Sequence, residues 1–293
     1  MSLRKQTVFT GIATALITPF SEGAIDYDSL GRMIELQIDA GISALLLCGT
    51  TGEASTLTVE EHHRIIRFAK EQIRGRVPLI GGCGSNSTSR ALELARAVTD
   101  GGADAILAVT PYYNKTNDNG ILLHYRALAD ASPRPLMLYN VPTRTGFGMT
   151  LRHYRELSEH PNIVALKEAS SDLSLLEETC AECGDRMDVY SGNDHHIVSA
   201  ARLGAKGVIS VYSNLFPRAM VEIWRLCAAK EYRAASERRM HHLSRMQSLF
   251  SEVNPIPVKY VAAEKGLCRA EYRLPLTAPG AECAKRLRTL FSE

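Results

Sequence analysis

The chain lacks a long apolar run: nothing in its 293 residues approaches the roughly 20 that a membrane span requires, so no membrane anchor is expected. It also lacks a charge bias. With 34 basic and 32 acidic residues the formal net charge is +2, which gives no electrostatic case for nucleic acid or an anionic membrane as partner. Cysteines number seven, odd and scattered from Cys48 to Cys283. They read as reduced thiols rather than a disulfide framework and point to the cytoplasm. The opening Met1-Ser2-Leu3-Arg4-Lys5-Gln6 has no apolar stretch of a signal peptide. Metal signatures are thin too. Cys180-Ala181-Glu182-Cys183 has CxxC spacing but neither a partner pair nor a flanking histidine. The pairs His62-His63, His195-His196 and His241-His242 are adjacent, so on helices their rings diverge by about 100° and chelate poorly. No metal is expected. Gly82-Cys83-Gly84-Ser85-Asn86 superficially suggests a dinucleotide loop, but it lacks the third glycine.

What is present is alternation. Short apolar runs rich in β-branched residues start near Ile12, Ala44, Val77, Ala105, Leu136, Ile163, Met187 and Gly207. Helical patterns lie between them: Leu30, Met33, Ile34 and Ile38 recur at helical spacing, as do Ile65, Ile66, Ala69 and Ile73 behind a Thr58 to Glu61 capping box. Gly41, Gly102 and Gly204 each read as a helix C-cap just before the next strand. Eight such units predict an α/β chain of the (β/α)8 TIM-barrel type, with its chemistry beyond the carboxyl ends of the strands. A doubly wound sheet is the competing arrangement. After about residue 230 the strand signal fades, and Ala234 to Phe250, Ile256 to Lys265 and Gly280 to Phe291 look helical. The expected division is a catalytic barrel over 1–230 and a C-terminal helical region over 231–293.

Lys167 closes the sixth apolar run, Asn162-Ile163-Val164-Ala165-Leu166-Lys167. Strand alternation puts Ile163, Ala165 and Lys167 on one face and Val164 and Leu166 on the other. An amine held inside a barrel mouth is desolvated, is partly neutral near neutral pH, and attacks ketones to form a Schiff base. The same segment also reads as a lysine snorkelling into solvent. Other strand ends add hydroxyls and a cation. Gly49-Thr50-Thr51-Gly52-Glu53 reads as a turn that holds a carboxylate or as a plain glycine turn. Thr50, Tyr113 and Tyr139 could form a proton relay, while Arg144 offers a fork for an anionic substrate. A tyrosine at a barrel rim equally serves packing.

Taken together, GTTGE at Gly49 to Glu53, TPYYN at Thr110 to Asn114, YNVPTRTG at Tyr139 to Gly146, LKEAS at Leu166 to Ser170, SGN at Ser191 to Asn193, GVISV at Gly207 to Val211 and NPIPVKY at Asn254 to Tyr260 resemble the dihydrodipicolinate synthase family, in that family's order and over essentially the whole chain. The resemblance implies a pyruvate-dependent class I aldolase-type lyase without an external cofactor. Lys167 would form the Schiff base with pyruvate, and the enamine would attack L-aspartate 4-semialdehyde to give 4-hydroxy-tetrahydrodipicolinate for diaminopimelate and lysine synthesis. By resemblance, Tyr139 transfers protons at the imine, Thr50 and Tyr113 complete the relay, and Thr51 holds the pyruvate carboxylate. Arg144 binds the semialdehyde carboxylate, and the main-chain carbonyl of Ile209 lies near the lysine. By resemblance, members of the family usually form homotetramers as dimers of dimers, which here implies Tyr113 crossing into the neighbouring site and Tyr112 stacking at the contact.

Regulated members bind L-lysine at that interface, which here would draw on Ala54, Ser55, Val59, His62, Asn86, Arg90 and Tyr112. This chain departs at Arg90, where regulated members carry a glutamate, and at Val59, where they carry a histidine. A cation there repels lysine, so weak or absent inhibition is expected. N-acetylneuraminate lyase and 2-keto-3-deoxy sugar acid aldolases or dehydratases share the lysine and the tyrosine and remain alternatives. A non-catalytic pyruvate-binding barrel is a further one. A nicotinamide oxidoreductase barrel would need a phosphate-gripping loop that Gly204 to Ser213 does not supply.

Overall fold

The computed structural model describes residues 5–292; Met1 to Arg4, the start of the segment read as lacking a leader, lie outside the described residues. Eight parallel strands close a barrel: β1 (Gly11–Ala15), β2 (Ala44–Leu47), β3 (Leu79–Gly82), β4 (Ala105–Val109), β5 (Leu136–Asn140), β6 (Ile163–Glu168), β7 (Asp188–Ser191) and β8 (Gly207–Ser210). Each pairs with its successor, and β8 returns to β1 in the register Gly11 to Gly207. The eight expected strands are all present, and the doubly wound alternative is excluded by the closure. A short hairpin, Phe20–Ser21 with Ala24–Ile25, sits between β1 and the first helix, Tyr27–Asp39.

Local chemistry explains the punctuation. The Thr58 capping box forms in full at the start of helix Val59–Ile73; such a cap contributes about 1 kcal/mol. Gly41, Gly102 and Gly204 have φ of +84, +99 and +99°, a left-handed conformation that glycine adopts without strain at a helix end. Inside the barrel, small and branched residues such as Ala13, Ala44, Leu46, Ile80, Ala105, Met137 and Ile209 fill one cluster. A second, larger cluster fills the layer between strands and helices.

Strict alternation fails at one place in β6. Leu136 pairs with Ile163 but Met137 pairs with Ala165, so Val164 is an extra, bulged residue. Ile163 therefore belongs to the outer cluster, and Val164 joins Ala165 in the inner one. The expectation that Ile163 shares the face of Ala165 and Lys167 is corrected accordingly. Downstream of the bulge the pleat resumes, with Leu166 outside and Lys167 in register with Tyr139.

Beyond helix Pro217–Ala228 come helices Tyr232–Ser248, Ile256–Glu264 and Ala281–Phe291. Their Leu249, Val258, Val261, Leu287 and Phe291 share the outer apolar cluster of the barrel. No helix among the described residues is long and apolar enough to cross a membrane.

Candidate active site

Lys167, near the carboxyl end of β6, is only 6% exposed, and its Nζ lies 4.4 Å from the centroid of the Tyr139 ring on neighbouring β5. The aromatic face stabilises a cation there. Gly192, just past β7, keeps the space open. A Cβ at that residue would come within 3.0 Å of Lys167 Cε and 2.6 Å of Ala169 Cβ, so a side chain would displace the lysine stem.

The main chain that carries Lys167 is fixed from behind. Glu168, 2% exposed, points to the outer layer and accepts from Asn140 Nδ2 (3.0 and 3.1 Å), the Tyr154 hydroxyl (2.6 Å) and Ser170 N (2.7 Å). Every carboxylate oxygen is thus satisfied, which makes the network a rigid support rather than a strained one. Burial and the Glu168 charge push the Tyr154 phenol far above its ordinary range, so it stays a donor.

A cavity of about 300 Å³ opens at the carboxyl ends of the strands, lined by Thr50, Tyr139, Arg144, Tyr112, His62 and Arg90 among others. Cys48 and Cys83 also line it. Burial pushes the Cys83 thiol up to about 12 and that of Cys48 higher still, so neither serves as a nucleophile near neutral pH. Thr51 is buried beside Thr50, and its Oγ1 accepts from Asn254 Nδ2 at 3.0 Å. Arg144, on the short helix Pro142–Thr145, donates to the Asn254 carbonyl at 3.1 Å. Asn254 thus ties the threonine turn to the arginine while its own Oδ1 stays buried without a partner among the described residues. Sequence reasoning quoted Asn254 in a motif but gave it no place in the site.

Ile209 is fully buried in β8, in the same inner layer as Tyr139. Tyr113 is not brought into the cavity: it is 89% exposed, with φ of +67°. Asn86 keeps to the rim, its carbonyl accepting from Asn114 Nδ2 at 3.0 Å. His62 is buried with Nδ1 on the Thr58 carbonyl at 2.9 Å. Burial pushes its pKa down, and the Arg90 charge adds to this. No group of three or more His, Cys, Asp or Glu among the described residues is placed to hold a metal ion.

Residues 8–293 match the profile of the Dihydrodipicolinate synthetase family. The chain belongs to this family. A relative named 4-hydroxy-tetrahydrodipicolinate synthase from Pelobacter propionicus is 47% identical over 276 residues, 93% of this chain and 94% of the relative. Among solved structures, the chloride-inhibited dihydrodipicolinate synthase of Acinetobacter baumannii complexed with pyruvate superposes with a TM-score of 0.94 at 40% identity, covering 98% of each chain. A structure described as a monomeric dihydrodipicolinate synthase variant gives 0.95 at 33% identity, over 97% of this chain and 96% of that one. Dihydrodipicolinate synthase family barrels and this one therefore coincide over nearly their whole length.

Proposed function

We propose that the protein is a 4-hydroxy-tetrahydrodipicolinate synthase, a lyase by class, that condenses pyruvate with L-aspartate 4-semialdehyde through Lys167. The observation that carries this reading is an amine withdrawn from solvent over the Tyr139 ring, beside a cavity bearing Thr50 and Arg144. The Lys167 amine attacks C2 of pyruvate, water leaves, and an iminium forms. Loss of a methyl proton gives the enamine, whose carbon attacks the aldehyde. The amine of the second substrate then adds to the iminium carbon, closes the ring and releases Lys167. The imine itself is the electron sink, so the reaction calls for no external cofactor.

Tyr139 passes protons at the imine, with Thr50 and Tyr113 completing a hydroxyl relay. Thr51 holds the pyruvate carboxylate, the Ile209 carbonyl lies against the adduct, and Arg144 grips the semialdehyde carboxylate. Because Tyr113 is exposed in the single chain, its part in the relay requires a second copy. A homotetramer built from tight dimers, with Tyr112 at the contact, supplies that copy. Seven free thiols support a cytoplasmic location.

Incubation with pyruvate, borohydride reduction and peptide mapping tests the assignment. A pyruvyl-derived mass on Lys167 is expected, and its absence removes the reading. Comparing L-aspartate 4-semialdehyde with sugar aldehydes as acceptors separates the synthase from sugar acid aldolases.

A further inference from the structure

Asn140 ends β5, directly after Tyr139, and is wholly buried. The pleat turns its side chain to the outer layer, away from the Tyr139 ring, where it meets Glu168, its register partner on β6. Its Nδ2 donates to the two Glu168 oxygens at 3.0 and 3.1 Å. Its Oδ1 accepts from Met149 N at 3.0 Å, and its carbonyl accepts from Ala169 N at 2.9 Å, just past β6. Residues 141–149, which carry Arg144, therefore leave the barrel at Asn140 and return to its side chain. Bonds inside the loop are local: Arg144 N and Thr145 N donate to the Val141 carbonyl at 2.9 and 3.1 Å, and the Thr145 hydroxyl donates to the Phe147 carbonyl at 2.8 Å. They fix the loop's shape without fixing its distance from β6. Met149 is buried in the outer apolar cluster, so its amide has no water to replace Asn140 as acceptor. Arg144 Nη2 also reaches the Asn254 carbonyl at 3.1 Å, a bond that orients the guanidinium from another segment.

We propose that Asn140 is a positioning residue for the second substrate: by closing the Arg144 loop onto the strand of Lys167, it sets the distance between the guanidinium and the enamine. The inference rests on the assignment of Lys167 to the Schiff base and of Arg144 to the acceptor carboxylate. Bond formation between two bound carbons is sensitive to that distance, since a misplacement of about 1 Å can cost about 10²-fold. Formation of the Schiff base needs Lys167 and pyruvate alone. Without the Asn140 side chain, the Glu168 oxygens keep Ser170 N at 2.7 Å and the Tyr154 hydroxyl at 2.6 Å, so the strand of Lys167 stays supported while the loop of Arg144 comes loose.

Because pyruvate is bound covalently before the acceptor reacts, kcat/KM for pyruvate reports Schiff-base formation and kcat/KM for L-aspartate 4-semialdehyde reports the later condensation. Asn140→Ala should lower the second constant about 10 to 10²-fold and the first by less than about threefold. In an Arg144→Ala background the same change should lower kcat/KM for the semialdehyde by less than about threefold, because nothing is left for Asn140 to position. An Asn140 that only stabilises the fold lowers the urea midpoint and leaves the ratio of the two constants in place, which overturns the proposal. Equal loss in both constants, or the full loss in the Arg144→Ala background, overturns it too. Absence of a pyruvyl adduct on Lys167 in the wild-type protein strikes the Schiff-base assignment, and the inference falls with it. Should Asn140→Ala fail to fold, hydrogen exchange in the wild-type protein decides the matter. The Met149 amide should exchange as slowly as that of Leu138 in β5, and exchange at the rate of the exposed Gly148 amide overturns the proposal.

Discussion

Glu53 and Lys259 form an ion pair in which both side chains are wholly buried, joining the threonine turn after β2 to helix Ile256–Glu264. Lys259 Nζ also lies 4.1 Å from the Phe20 ring centroid, and Arg273 N donates to the second Glu53 oxygen at 3.3 Å. Burial lowers the Lys259 pKa while Glu53 opposes that shift. Breaking one side leaves a charge stranded. Lys259→Met should cost about 3–5 kcal/mol in urea unfolding, and Glu53→Gln added to it should recover part of the loss.

Tyr139→Phe should lower turnover by about 10² to 10⁴-fold, as for other positioned acid–base groups, while retaining the overall fold. A coupled reductase assay reads the rate and circular dichroism the fold. Lys167→Ala should abolish both turnover and the borohydride-trapped adduct. Undiminished turnover in either variant contradicts the assignment.

Arg90 pairs with Glu93 at 2.5 Å and faces the cavity that His62 and Tyr112 share. Millimolar L-lysine should therefore leave the initial rate nearly unchanged, since the ammonium meets a like charge. Arg90→Glu should introduce measurable inhibition. Strong inhibition of the unaltered protein contradicts this reading.

Burial pushes His124, His196 and His242 down to about 4. The folded state keeps them neutral while the unfolded chain, near the ordinary 6.5, takes up protons first. Stability conferred by these neutral rings is present above about pH 6.5 and is lost as pH falls toward 4. Urea midpoints across that window measure the slope. His124, whose Nδ1 meets the Thr88 hydroxyl at 3.0 Å, gives the control: His124→Gln should flatten it.

The barrel was legible because its signals are local: apolar runs, a capping box and glycines at helix ends, each of which forms where the sequence puts it. The site was legible in part. Thr50, Tyr139 and Arg144 meet on one cavity because the barrel brings all strand ends to one rim. Asn254 was passed over because its importance lies in contacts to Thr51 and Arg144 and in an unpaired oxygen, which depend on packing between distant segments. The β6 bulge was invisible for a similar reason, since its extra residue is defined only against β5.

The one extra residue in β6 decides what packs upstream of the Lys167 amine in the barrel interior, not which side of the wall the amine occupies. A chain shortened by Val164 would present the same LKEAS motif to any reader of its sequence, and regular pairing would leave Ile163 outside and Ala165 and Lys167 inside, but the inner layer would lose one branched side chain. Part of the packing inside the barrel near Lys167 is thus written in a mismatch between two neighbouring strands, and a sequence comparison blind to single-residue gaps in β6 would credit the same interior to barrels that are filled differently.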